Sequence, residues 1–127
     1  MLGGVLQLLE TKWFARYARC EQIDDSSLRE AIQRAERGLV DADLGGGIIK
    51  QRVARPGKGR SSGFRVLIAY HSGNRAVFLY GFAKSERANI KEAELQTLRE
   101  IGAAWLGAGK EHLDHAIKEG FLKEIQP

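Results

Sequence analysis

Lys50 and Arg52 stand in a run of branched and apolar residues, Ile48 to Val53. The two-residue period of a strand puts both cations on one face, while Ile49 and Val53 turn to the other. Two cations on one sheet face are costly unless something anionic covers them. Arg65 lies between Phe64 and Val66 in the next such run, so its side chain points away from the residues that would pack a core. If the two strands pair antiparallel, Arg65 comes beside Arg52 or Lys50. Such a cluster grips a phosphate at several oxygens at once and offsets charge that develops on it, with no metal required. The connection from Arg55 to Gly63 interleaves glycines with Arg55, Lys58 and Arg60, which makes it a flexible basic loop suited to phosphate. It is not a P-loop. The GxxxxGK[ST] spacing is absent and the loop opens into a strand, so no helix N-terminus awaits the phosphates.

Other chemistries fail on residue type and spacing. His71, His112 and His115 form no HExxH, and no cysteine or carboxylate cluster accompanies them. His112 and His115 read as surface residues; His71, at a strand end beside a turn, is the one placed to act as a base, although such a histidine is more often inert. Ser61 and Ser62 lack the surroundings of an activated nucleophile. Cys20 is the single cysteine, which excludes an intramolecular disulfide and a thiolate zinc site and leaves it as a small buried hydrophobe. Trp13 and Trp105 are expected to pack in the core or between helices. No metal and no cofactor is expected.

Charge points to the same segment. Residues 1–43 carry six Lys/Arg against eight Asp/Glu, and residues 86–127 again carry six against eight. Between them Lys50, Arg52, Arg55, Lys58, Arg60, Arg65, Arg75 and Lys84 stand without a single acid. A basic block between acidic flanks is the footprint of a surface that attracts a phosphate chain.

The elements that must position these residues follow from periodicity. The chain has 127 residues and 43% apolar content, enough for one domain with its own core. A short strand near Val5–Leu9 leads into a helix capped by Thr11, with Phe14, Tyr17 and Ala18 on one side. Ser27 followed by Glu30 resembles a capping box for a second helix with a buried stripe of Leu28, Ala31, Ile32 and Ala35, ended by Gly38. Leu44 to Gly47 is a breaker that releases the chain into three strands, Ile48–Val53, Phe64–His71 and Arg75–Phe82, the last two joined at Ser72-Gly73-Asn74. Asn89 with Glu92 opens a helix with Leu95, Leu98, Ile101 and Trp105 on its apolar side, and a last helix spans about Lys110 to Glu119. The order predicts an α+β fold, a small mostly antiparallel sheet packed by an N-terminal helix pair and C-terminal helices. The opening MLGGVLQLLE lacks a basic n-region and no apolar run reaches spanning length, so a cytoplasmic protein without a membrane segment is expected.

The run from Lys50 to Arg65, followed by Tyr80-Gly81-Phe82-Ala83-Lys84-Ser85-Glu86-Arg87 and Asn89-Ile90, resembles the RelE/HigB branch of type II toxins. Trp13-Phe14 and the stretch Asp41 to Gly47 belong to the likeness. It covers most of the chain as a single domain, 1–127, with a C-terminal helical extension over about 108–127.

The resemblance implies a compact RelE-like fold and an endoribonuclease that cleaves mRNA in the ribosomal A site. In that family the 2′-hydroxyl attacks the neighbouring phosphorus without a metal, while basic side chains orient the RNA and offset charge. Carried over by position, Lys50, Arg52, Arg65, Lys84 and Arg87 would be catalytic, and Arg55, Lys58 and Arg60 would bind RNA. Some relatives place a tyrosine or histidine in the final helix, and residues 85–104 contain neither. The general base stays unassigned, with Lys50 or Lys84 as candidates if cationic neighbours lower the amine's pKa. The resemblance further implies an antitoxin partner, often of helix-turn-helix type, and the basic central block calls for one that presents acidic or hydrophobic segments. A ParE-like topoisomerase poison and a non-catalytic nucleic-acid- or antitoxin-binding module share the fold and remain alternatives.

Overall fold

The computed structural model describes residues 6–54 and 63–126. The loop cations Arg55, Lys58 and Arg60 lie outside the described residues, as does Val5. The chain runs β1 (Gln7–Thr11), α1 (Lys12–Cys20), α2 (Asp25–Glu36), β2 (Ala42–Gly45), β3 (Ile48–Val53), β4 (Phe64–His71), β5 (Arg75–Ala83), α3 (Glu92–Leu106), α4 (Lys110–Lys118) and β6 (Leu122–Ile125). The strands form one sheet in the order β2-β3-β4-β5-β1-β6. Among the described residues only the β1–β5 pairing is parallel. This is the α+β architecture expected from the sequence.

The apolar residues divide between two layers. Phe14, Leu28, Ile32, Val66, Ile68 and Phe78 pack where α1 and α2 cover one face of the sheet. Leu9, Ile48, Leu67, Val77, Leu79 and Leu113 pack where α3 and α4 cover the other. Both faces of β4 and β5 are therefore buried, which is why these strands read as nearly continuous apolar runs. Gly102 lets α3 approach: a Cβ there would stand 2.9 Å from the Ala69 Cβ and 3.1 Å from the Ile48 Cδ1.

Several local expectations hold and several need correction. Thr11 Oγ1 accepts from the Phe14 N–H at 3.2 Å and caps α1 as expected. The cap of α2 is Asp24, whose carboxylate accepts from the Ser27 N–H at 2.9 Å; Ser27 lies within the helix instead. In α3 the reciprocating acid is Glu94, which accepts from the Lys91 N–H at 2.9 Å, two residues beyond the expected Asn89–Glu92 pair. Ile101 is 40% exposed, and Gly102 takes the buried position in its place.

The glycine breaker is a hairpin turn. Gly45, Gly46 and Gly47 all have positive φ, and Arg99 of α3 donates to the Leu44 and Gly45 carbonyls at 2.5 and 3.3 Å. Strand β2, unforeseen because it has only four residues with one glycine, begins just before this turn. The C-terminal stretch is helical only through α4; it then turns at Gly120 and returns as β6 beside β1. Its Leu122 and Ile125 are buried in opposite layers. Cys20 is exposed and not buried, because it closes α1 on the side away from Phe14 and Ala18.

Candidate functional site

The face of the sheet that α3 covers at Ile48, Leu67 and Ala69 continues past the helix into a region of polar side chains. Register places them in two rows. Arg52 of β3 is opposite Arg65 of β4, and Arg65 is opposite Phe82 of β5; one step along, Lys50 is opposite Leu67, and Leu67 is opposite Tyr80. Neighbouring strands lie about 4.8 Å apart, so each row is a continuous strip of side chains. The sequence left Arg65 beside either Arg52 or Lys50. The register selects Arg52.

Tyr80 and Phe82 reach this face because of a bulge. The β4–β5 pairing shifts between Leu67 and Ile68, so that Ile68 meets Phe78 while Leu67 meets Tyr80, and Leu79 is the extra residue. Such an insertion redirects the side chains beyond it. Tyr80 then stacks on Trp13 with ring centroids 4.7 Å apart, and Trp13 also stacks on Tyr17 at 5.3 Å. Trp13 is 47% exposed and stacks on a strand tyrosine, which corrects the expectation that it packs in the core or between helices. The signal was present in the sequence: Phe14 and Ala18 already define the buried side of α1, and Trp13 is one residue away from it.

The arginines are held by acids. Arg87 donates from Nη2 to Glu94 Oε1 at 2.7 Å and from Nε to the Asn89 carbonyl at 2.9 Å, while its Nη1 lies 3.4 Å from the Tyr80 hydroxyl. Its guanidinium sits 5.7 Å from the Phe82 ring centroid. The bond from Arg87, aided by the Lys91 N–H, holds the Glu94 carboxyl down at about 2. Arg52 donates from Nη2 to Asp41 Oδ1 at 3.2 Å. Burial alone would push Asp41 up, but bonds from Arg52 and Arg34 together keep it below the usual carboxylate range. Partial burial first, and the neighbouring Arg52 second, lower the Arg65 pKa. An anion over the Arg52–Arg65 pair would relieve both penalties.

Of the five catalytic residues expected from the sequence, three share one face of adjacent strands, a fourth lies beside them and the fifth stands at the end of the sheet. Lys50, Arg52 and Arg65 share one face of two adjacent strands. Arg87 joins them from the far side of Phe82. Lys84 is exposed just past β5, its N–H donating to the Gly63 carbonyl at 3.3 Å, at the end of the sheet where the basic loop rejoins. Arg75, counted in the basic block, serves elsewhere: its Nη1 donates to the carbonyls of Trp105, Leu106 and Ala108 and closes the end of α3. His71, His112 and His115 are all exposed, and among the described residues no three His, Cys, Asp or Glu side chains group as metal ligands.

Asp41, Arg34, Tyr80 and Trp13 stand at the site without a motif that identifies them. Asp41 carried a signal, since cations on a sheet face call for a nearby acid, but only the β2–β3 register identifies which one. Arg34 lies off the apolar stripe that spacing predicts for α2, and only the fold buries it beside Asp41.

A family model described as the RelE toxin of the RelE/RelB toxin-antitoxin system matches residues 6–125. The match runs through α4 and β6, so the C-terminal stretch lies within the family's span. No curated protein sequence matches the chain.

Proposed function

Because the chain belongs to the RelE toxin family, it is the toxin of a toxin-antitoxin system, and we propose that it is a metal-independent endoribonuclease that cleaves mRNA on the ribosome. The observation that carries this reading is the direct pairing of Arg52 and Arg65 on one open sheet face, flanked by Lys50 and Arg87. A topoisomerase poison acting through protein contacts has no use for several cations aimed at one phosphate.

The chemistry follows from the charges. The 2′-oxygen of one nucleotide attacks the adjacent phosphorus, the bond from phosphorus to the 5′-oxygen breaks, and a 2′,3′-cyclic phosphate and a 5′-hydroxyl result. Negative charge accumulates on the non-bridging oxygens as the five-coordinate phosphorus forms. Arg52 and Arg65, set on the strands before substrate arrives, offset that charge without reorganising, which is the most effective way for fixed cations to lower a barrier. Under this reading the 2′ proton passes to an amine, Lys50 or Lys84, the departing 5′-oxygen takes up a proton from the ammonium so formed or from water, and Arg55, Lys58 and Arg60 bind flanking RNA. Cleavage that survives in both Lys50→Ala and Lys84→Ala would remove a lysine base.

The family brings an antitoxin partner with it, and we propose one of helix-turn-helix type. Among the described residues no helix is long and apolar enough to cross a membrane, and action on ribosomes places the toxin in the cytoplasm. The test is to induce the wild type and an Arg65→Ala variant in a bacterial host, map mRNA 5′ ends and follow growth. Cuts at codon positions that vanish with Arg65 support ribosome-dependent cleavage. Growth arrest with stalled replication and intact transcripts would replace it with the topoisomerase reading.

A further inference from the structure

The guanidiniums of Arg52 and Arg65 repel each other, and Arg52 has a 47% exposed side chain that would otherwise swing into solvent. Its place is fixed by two residues that the proposed reaction does not use. Asp41 accepts from the Arg52 backbone N–H at 2.7 Å and from Arg52 Nη2 at 3.2 Å, so one carboxylate grips both ends of the same residue. Arg34, 7% exposed, stands behind it: Nη1 donates to Asp41 at 3.2 Å, Nη2 donates to the Arg52 carbonyl, and Nε donates to Glu30 at 2.8 Å. The backbone of Asp41 is held as well. Its N–H donates to the buried Gln51 Oε1 at 2.7 Å, and Gln51 Nε2 donates to the Ala31 and Leu39 carbonyls at 2.9 and 3.1 Å.

We propose that Asp41 and Arg34 are positioning residues that set the Arg52 guanidinium against Arg65 for the reacting phosphate. Arg34 reaches Asp41 and the Arg52 carbonyl with two arms of one planar group, a task a lysine cannot perform. Asp41 leaves the rest of the Arg52 guanidinium for an incoming anion. A bridge needed only for folding would be complete with Arg34 and the Arg52 backbone; the additional bond to Nη2 is the one directed at the site. This inference rests on the cleavage reading, and its test separates the two.

Cleavage of translated mRNA at saturating substrate, RNA affinity and thermal midpoint are measured for the wild type, Asp41→Asn, Arg52→Ala and the double variant. Asp41→Asn is expected to lower the cleavage rate about tenfold or more. RNA affinity should not weaken, since the cluster gains positive charge. In the Arg52→Ala background the same change should have no further effect on rate, the coupling that marks two residues acting as one. An equal loss in both backgrounds, a loss that follows the thermal midpoint, or no loss would overturn the proposal. If Asp41→Asn does not fold, Arg34→Lys replaces it in the same cycle with the same expectation. A second readout needs no activity: the Arg52 side-chain Nε–H resonance in NMR should be restrained in the wild type and become as mobile as that of exposed Arg16 in the variant. Should the wild type cut no RNA, the cleavage reading fails by itself. A mobile Arg52 resonance in the wild type would then overturn the positioning role separately.

Discussion

Arg52 and Arg65 stand opposite each other in the β3–β4 ladder, two guanidiniums on the same face, and Asp41 is bonded to Arg52. Like charges directly opposite destabilise a sheet pair, and under the proposed function the phosphate bound across the two would offset that repulsion. The penalty is visible in Arg65, whose pKa is lowered by burial and by its arginine neighbour.

Arg65→Ala should therefore weaken RNA binding in a salt-dependent way. If Arg65 neutralises one phosphate of single-stranded RNA, the slope of log affinity against log salt becomes shallower by about 0.7. A titration series on an RNA oligonucleotide measures it; an unchanged slope would mean that Arg65 does not touch a phosphate.

Glu94→Gln tests the restraint on Arg87. The Glu94 carboxyl, depressed to about 2, is ionised throughout the physiological range, so its ion pair with Arg87 is present above the ordinary carboxylate pKa and fades only as pH falls toward 2. The amide removes the charge and loosens Arg87 from Phe82. Cleavage should fall while the thermal midpoint moves little, since the pair is only half-buried. An unaltered rate would place Arg87 outside the reaction.

Glu10 gives the protein a pH-dependent stability. Its side chain is 2% exposed, its Oε1 has no hydrogen-bond partner among the described residues, and burial raises its pKa to about 7. Lys123, opposite it in the β1–β6 ladder, only partly offsets that effect. With the folded pKa raised above the unfolded value, stability is full below about 4.5 and is lost progressively as pH rises to about 7, by roughly 3 kcal/mol in total. Glu10→Gln should flatten this dependence and raise the denaturation midpoint at pH 8, as urea titrations at a series of pH values would register. A variant with the wild-type pH profile would refute the assignment.

Phe14 and Trp13, adjacent in sequence, should respond very differently to truncation. Phe14 is 0% exposed beneath α1 and Trp13 is 47% exposed. Phe14→Ala should cost about 3–5 kcal/mol. Trp13→Ala should cost well under half of that, and chemical denaturation of the two variants gives the comparison.

Gly102→Ala should destabilise by about 1–3 kcal/mol through overpacking, because the added Cβ would meet the rigid Ala69 and Ile48 side chains. Recovery of stability in the double variant Gly102→Ala/Ala69→Gly would identify that contact as the cause.

Much of the molecule was legible in the residues. Alternation in Ile48–Val53 separated Lys50 and Arg52 from the core, and the apolar runs around Arg65 and Ser72-Gly73-Asn74 marked the central hairpin, because strand period and turn chemistry are local properties. Spacing also marked α1 to α4, since apolar residues three and four apart are a local signal of a helix. The short strands β2 and β6 were hidden: four residues carry too little pattern, and their stability comes from the neighbours they pair with.

By itself the sequence determined the α+β class, the central cationic block and the face that carries it, since all three depend on composition and on periods of two and near four residues. Tertiary structure alone decided that Arg52 meets Arg65, that a bulge turns Tyr80 and Phe82 toward them, and that Asp41 and Arg34 hold Arg52 in place. Those relations join residues from different strands and helices, and register between elements is set by packing over the whole core, which no local spacing encodes.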